Sequence, residues 1–198
     1  MIHPVLKFLA EQINVYIQDE NRTDTDITDP VVILQNVSRI DDDLLKTTNK
    51  ILISLVNISE ETSMKNNPDY TMVRNNLTTH KNPPVNLNLY LMFTSLMTNY
   101  EYALIYISLV LKFFQGKFSF NLKNSVTEVE GLPDDFHIIV DLFNLGFEQL
   151  NYVWSTFGGK QHPFVCYKVR LLSMERESTR EIDGVISEVV IDGRSKVK

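Results

Sequence analysis

The sequence predicts a single α/β domain of the α+β kind, and three observations predict it. Residues 85–95 alternate strictly, with Val85, Leu87, Leu89, Leu91 and Phe93 set against Asn86, Asn88, Tyr90 and Met92. That period of two belongs to a strand with one apolar face. Directly behind it, Ala103, Leu104, Ile107, Val110, Leu111 and Phe114 recur at helical spacing. Residues 164–174 alternate again, Val165, Tyr167, Val169 and Leu171 against Cys166, Lys168 and Arg170. At 198 residues the chain is long for one small domain and short for two. The expected organisation is a domain over residues 1–175 and a C-terminal arm over residues 176–198.

The elements follow in chain order. Pro4 suits a first helical turn, and Val5, Phe8, Leu9, Ile13 and Ile17 place one apolar stripe on a helix. Residues 19–29 are polar and acidic and read as a loop. The β-branched run 31–37 predicts a strand, and 50–58 a second one with both faces covered. Residues 59–84 are polar, Asn-rich and aperiodic. Such a stretch is either an extended hairpin or a protruding loop that orders against a partner, and the protruding loop is favoured. After the strand at 85–95, Thr98 and Glu101 have capping-box spacing, with Gly116 as the helix stop. Residues 118–122 and 126–129 suggest a small hairpin, and 136–143 a further strand. Phe147, Leu150, Trp154 and Phe157 then share a helix face that Gly158 and Gly159 terminate. The last strand candidate is 185–191. The expected core comprises Leu87, Leu89, Leu91, Phe93, Leu104, Ile107, Leu111, Leu150, Trp154 and Tyr167.

Composition excludes several functions. With 25 acidic against 19 basic residues and a net charge of −6, no basic stripe is available to track phosphates. One cysteine, Cys166, rules out an intramolecular disulfide, and its strand setting suits a buried thiol. Sequons begin at Asn21, Asn36, Asn57 and Asn76, but residues 1–10 have no signal-peptide pattern. The apolar stretch 103–114 is too short to span a bilayer. Synthesis and assembly in the cytoplasm are expected, without membrane insertion.

No catalytic constellation emerges. His3, His80, His137 and His162 lack metal-ligand spacing. Gly158-Gly159-Lys160 imitates a phosphate loop, but Trp154 stands at the required glycine and Gln161 at the required Ser/Thr. That loop also follows a helix instead of opening one. Asp134-Asp135 suits a turn. Asp141, within an apolar strand, is a possible general acid, with an ion pair the favoured reading. No catalytic residue, metal or cofactor is expected, and no enzyme.

Three segments carry a family resemblance: Asn82-Pro83-Pro84 leading into 85–93, residues 147–159 with Leu150, Trp154 and Gly158, and residues 164–170. In this order they resemble the N-terminal domain of the tail-terminator, or cap, proteins of contractile injection systems. Those are phage-tail-like particles with an inner tube inside a contractile sheath. The likeness runs over about residues 1–192. It implies a single mixed, mainly antiparallel sheet packed against about three helices. It also implies a structural cap subunit: a homohexameric ring on the distal end of tube and sheath, ending polymerisation and anchoring the sheath. The implied partners are further copies of the chain, the inner tube protein and the sheath protein. Larger family members carry an additional C-terminal region, so roles that need it are not expected here. The particle is either released or kept in the cell. Candidate interface residues are Val185, Ile186, Val189 and Ile191, for strand addition to the sheath or a neighbour, and Tyr70 and Asn82 in the long polar segment. Residues 185–191 completing their own sheet is an equal alternative. Other readings are a tail-completion or baseplate-type adaptor of the same particle, or a small ligand-binding domain or enzyme.

Overall fold

The structure, a computed structural model, describes residues 1–20, 30–39, 49–62, 70–74, 77–81, 85–127, 129–174 and 179–184. Helix α1 (Ile2–Glu20) leads to strand β1 (Val32–Leu34), a 3-10 turn at Val37–Arg39 and β2 (Lys50–Glu60). A hairpin of β3 (Tyr70–Arg74) and β4 (Leu77–Lys81) precedes β5 (Val85–Leu96) and helix α2 (Tyr100–Gly116). Then come β6 (Ser119–Asn121), β7 (His137–Leu142), α3 (Phe147–Thr156), β8 (Phe164–Met174) and β9 (Thr179–Gly184).

Six strands form one sheet in the order β1-β2-β5-β8-β7-β6, with β1 parallel to β2 and every other neighbour antiparallel. This is the mixed, mainly antiparallel sheet with three helices that the sequence and its resemblance lead one to expect. Its pleat sorts side chains onto two faces. Ile51, Ile53, Leu89, Leu91, Phe93, Ile138, Val140, Tyr167 and Val169 join α1 and α2 in one buried cluster. Leu52, Met92, Leu96 and Cys166 join Trp154 of α3 in a second. The helices therefore sandwich the sheet, α1 and α2 on one side and α3 on the other. The polar-looking side of β5 is half apolar and covered as well, because Met92 and Leu96 alternate into the Trp154 cluster.

Side chains close the ends of this sheet. Asn14 of α1 donates through Nδ2 to Val32 O at 2.9 Å and accepts from Val32 N at 2.7 Å. Those are outward backbone groups of β1, since Ile51 N donates inward to Val31 O. At the other end Asn124 Nδ2 donates to Ser119 O at 2.9 Å, and Asn121 N donates to Asn124 Oδ1 at 3.0 Å. At both margins, then, asparagine side chains engage outward backbone groups that strand addition would need, a common management of sheet edges.

Several expectations need correction. The segment 59–84 was expected to protrude as a loop. Instead β2 runs on to Glu60, and β3 and β4 pair as a hairpin with Met72 opposite Thr79. Backbone pairing satisfies amide groups that a bare loop of that length would leave to solvent. The arm expected at 176–198 is not free over 179–184, because β9 pairs antiparallel with β4 in a separate three-stranded sheet, β3-β4-β9. The small hairpin expected of 118–122 with 126–129 is not formed by the described residues: β6 pairs with β7. Gln12, buried in α1, instead binds Thr127 Oγ1 through Nε2 at 2.9 Å and accepts from Val126 N. The N-cap of α2 is Asn99, whose Oδ1 accepts from Glu101 N at 2.8 Å. Thr98 is engaged elsewhere, donating its N–H and hydroxyl to Asn49 Oδ1. The glycines 158 and 159 do end α3, with φ of +95° and +79°, left-handed values that favour glycine.

Of the expected core, Leu89, Leu91, Phe93, Ile107, Trp154 and Tyr167 are buried, and Leu87 and Leu150 pack partly buried against the two clusters. Leu104 and Leu111 are not core residues: they are 46% and 37% exposed. Tyr106, Leu109, Val110, Phe113 and Phe114 fill the inward side of α2, so the helix presents its remaining apolar residues to solvent. Phe147, placed on the packed face of α3, is 93% exposed at the first turn. The helix is anchored one turn later by Leu150 and then by Trp154.

Candidate functional site

Chemically capable side chains are dispersed through the fold. Asp141 on β7 lies opposite Lys168 of β8 and accepts from Arg170 Nε at 2.5 Å. Both partners of this pair are about two-fifths exposed, 43% and 41%, so it is a surface ion pair and not a secluded acid. His137 is exposed and meets Ser119 Oγ through Nε2 at 3.0 Å, linking β6 and β7. No third side chain among the described residues orients that imidazole, as nucleophilic catalysis would need. His162 tilts against the Trp154 ring at 6.2 Å. Its basicity is lowered by burial and secondarily by Lys160. Burial pushes the Cys166 thiol up to about 11 and the Tyr167 phenol up to about 12. Each is thereby held neutral and unreactive. Among the described residues no three His, Cys, Asp or Glu side chains are grouped to hold a metal ion.

The distinctive surfaces are apolar. Tyr100, Tyr102, Leu104, Ile105 and Leu111 are exposed on α2, at 67%, 41%, 46%, 49% and 37%. Leu104 and Leu111, seven residues apart, stack along the outward side of the helix, and Ile105 lies at its far margin beyond Ser108 and Lys112. A helix apolar nearly all round is normally buried on all sides. On α2 one side is packed by this domain and the other is left open. Phe147 and Tyr152 of α3 are 93% and 73% exposed on the opposite layer. Exposed apolar patches of this kind mark contacts between proteins. The signal was present in the sequence, in the surplus of apolar residues between Tyr100 and Phe114 over what a single helix face can hold.

The residues singled out for an interface are only partly placed. Tyr70 opens β3 opposite Lys81. Val185, Ile186, Val189, Ile191 and Asn82 lie outside the described residues, as does the strand expected at 185–191. No helix among the described residues is long and apolar enough to cross a membrane.

This arrangement is the fold of tube-terminating proteins of contractile particles. The structure is similar over its full length to the sheath/tube terminator of the PVC extracellular contractile injection system in its extended state, with a TM-score of 0.68 at 13% identity. It is similar over 92% of its length to the tube-terminating cap of the anti-feeding prophage, with a TM-score of 0.59 at 12% identity. The chain belongs to the Pvc16 N-terminal domain family, whose model matches residues 4–188. It spans 65% and 60% of the lengths of those two solved chains. None of the curated proteins matches it. The resemblance read from residues 82–93, 147–159 and 164–170 is thus to the family that the comparison identifies.

Proposed function

We propose that this chain is a terminator subunit that caps the inner tube and sheath of a contractile injection system, without enzymatic activity. The observation that carries the reading is the fold match along the whole chain to a sheath/tube terminator. The exposed apolar sides of α2 and α3 support it, because a capping subunit needs surface for its neighbours and a solitary domain does not. The subunit assembles as a six-fold ring on the end of the tube, stops further tube growth and holds the top of the sheath. Closed rings use head-to-tail contacts between two different surfaces of each copy, and α2 and α3 present such surfaces on opposite layers. Val185, Ile186, Val189 and Ile191 serve contact with the sheath or a neighbouring copy, and Tyr70 and Asn82 contact with an adjoining copy or the tube. Assembly takes place in the cytoplasm.

Immunogold labelling of a tagged copy on intact particles tests this. The label is expected at the end opposite the baseplate, and deletion of the gene is expected to give tubes of unregulated length. Label at the baseplate end would overturn the terminator and favour an adaptor of the same particle.

A further inference from the structure

Helix α2 carries one charge of each sign, Glu101 in its first turn and Lys112 near its end. They stand eleven residues apart, which is three helical turns, so both lie on the same open side, and both are exposed. Between them on that side come Leu104, Ser108 and Leu111, all exposed. The Ser108 hydroxyl donates back to Leu104 O at 2.7 Å, so it offers a partner a small surface with its proton already engaged.

We propose that the free subunit pairs with a second copy through this side of α2, the two helices antiparallel about a two-fold axis. The stripe is its own complement when reversed, and that selects a second copy as the occupant. Setting Leu104 of one helix against Ser108 of an antiparallel copy sets Glu101 against Leu111 of that copy, one residue, about 1.5 Å of rise, from its Lys112. The two-fold axis repeats every contact, so Leu104 enters the recess at Ser108 twice and Glu101 meets Lys112 twice. It also keeps each margin of the stripe together. Leu104 and Leu111 lie to one side of Ser108 and Glu101 and Lys112 to the other, so the opposite charges meet on the same side of the pair. A parallel copy would instead set Glu101 on Glu101 and Lys112 on Lys112. The dimer does not depend on the ring reading. Ring contacts are head-to-tail, so a two-fold pair belongs to the subunit before assembly and parts when the ring closes. Until then it covers apolar surface that would otherwise invite chance association.

Sedimentation equilibrium of the purified chain, without tube, tests this. A single helix pair is a small contact, so a weak dimer in the micromolar range is expected, weakening with added salt. Glu101→Lys and Lys112→Glu each turn both ion pairs into like-charge pairs and are expected to weaken the dimer about tenfold at low salt. The double variant Glu101→Lys/Lys112→Glu is expected to regain the parent's affinity. So is an equal mixture of the two single variants, in which both contacts are again between opposite charges. Urea unfolding of each variant reports its fold; should Glu101→Lys loosen the first turn, Lys112→Glu and the double variant carry the same comparison. A monomer throughout the micromolar range, or a larger ring without tube, overturns the proposal and leaves this side of α2 to other contacts. A dimer that neither single swap weakens overturns it too, as does one that the folded double variant or the mixture fails to restore. In every case the terminator reading stands or falls separately, by the labelling of intact particles.

Discussion

The Trp154 indole meets the Phe164 ring edge-on, with centroids 5.2 Å apart and planes at 74°. This contact holds α3 to the sheet, since Trp154 is the buried residue of that helix. Edge-to-face pairs add to the area that each ring buries. Trp154→Ala is expected to destabilise the domain by about 3–5 kcal/mol, as large-to-small core changes do, measured by urea unfolding. A loss below about 1 kcal/mol would mean that α3 is held some other way.

The two sides of α2 should separate in a mutational series. Phe114→Ala, 4% exposed and packed on Phe93 and Tyr167, is expected to lose about 3–5 kcal/mol. Leu104→Gln and Ile105→Gln touch no core and are expected to stay within about 0.5 kcal/mol of the parent. On the terminator reading the same two changes weaken assembly on tube, which co-sedimentation measures. Retained assembly would remove α2 from the list of contacts.

Asp141 and Arg170 form an exposed ion pair, and such pairs contribute about 0.2–1 kcal/mol. Asp141→Asn should therefore cost less than about 1 kcal/mol by thermal or urea unfolding, and the difference should shrink with added salt. A loss of several kcal/mol would show that the carboxylate is more secluded than its exposure indicates.

Alkaline solution should destabilise the fold through Cys166. The ordinary thiol titrates near about 8.5, whereas burial in the folded state raises it to about 11. The unfolded chain therefore loses its proton first, and stability is complete below about 8.5 and declines as pH rises towards 11. Tyr167, raised to about 12, extends the decline beyond that. The urea midpoint is expected to fall over this window, and less steeply in Cys166→Ala. Native Cys166 should also resist alkylation at neutral pH until denaturant is added.

Much of the fold was legible because it is written in local periodicity. The alternation at 85–95 and 164–174, the stripe of α1, the helix behind Asn99 and the Gly158-Gly159 stop are all local patterns, and all appear near the expected positions. Errors arose where a local pattern has two satisfactory partners. Thr98 and Asn99 both have cap chemistry, and the bonds from Thr98 to Asn49, a residue far away in sequence, leave the cap to Asn99. Residues 126–127 are bound by Gln12 across more than a hundred positions. No short window reveals such a partner.

The sequence by itself determined the strongly periodic helices and strands, the lack of a recognisable catalytic or metal motif in the chain and the family resemblance, because side-chain period and residue chemistry are properties of the chain alone. Only the tertiary structure decided which apolar residues are interior. Leu104 and Val110 are both apolar residues of α2, yet Val110 is fully buried and Leu104 is 46% exposed, since one sheet can cover only one side of a helix. It also decided that β9 returns to β4, in a sheet separate from the six strands of the core. Strand pairing joins residues distant in sequence through backbone groups that every residue carries, so composition alone does not specify it.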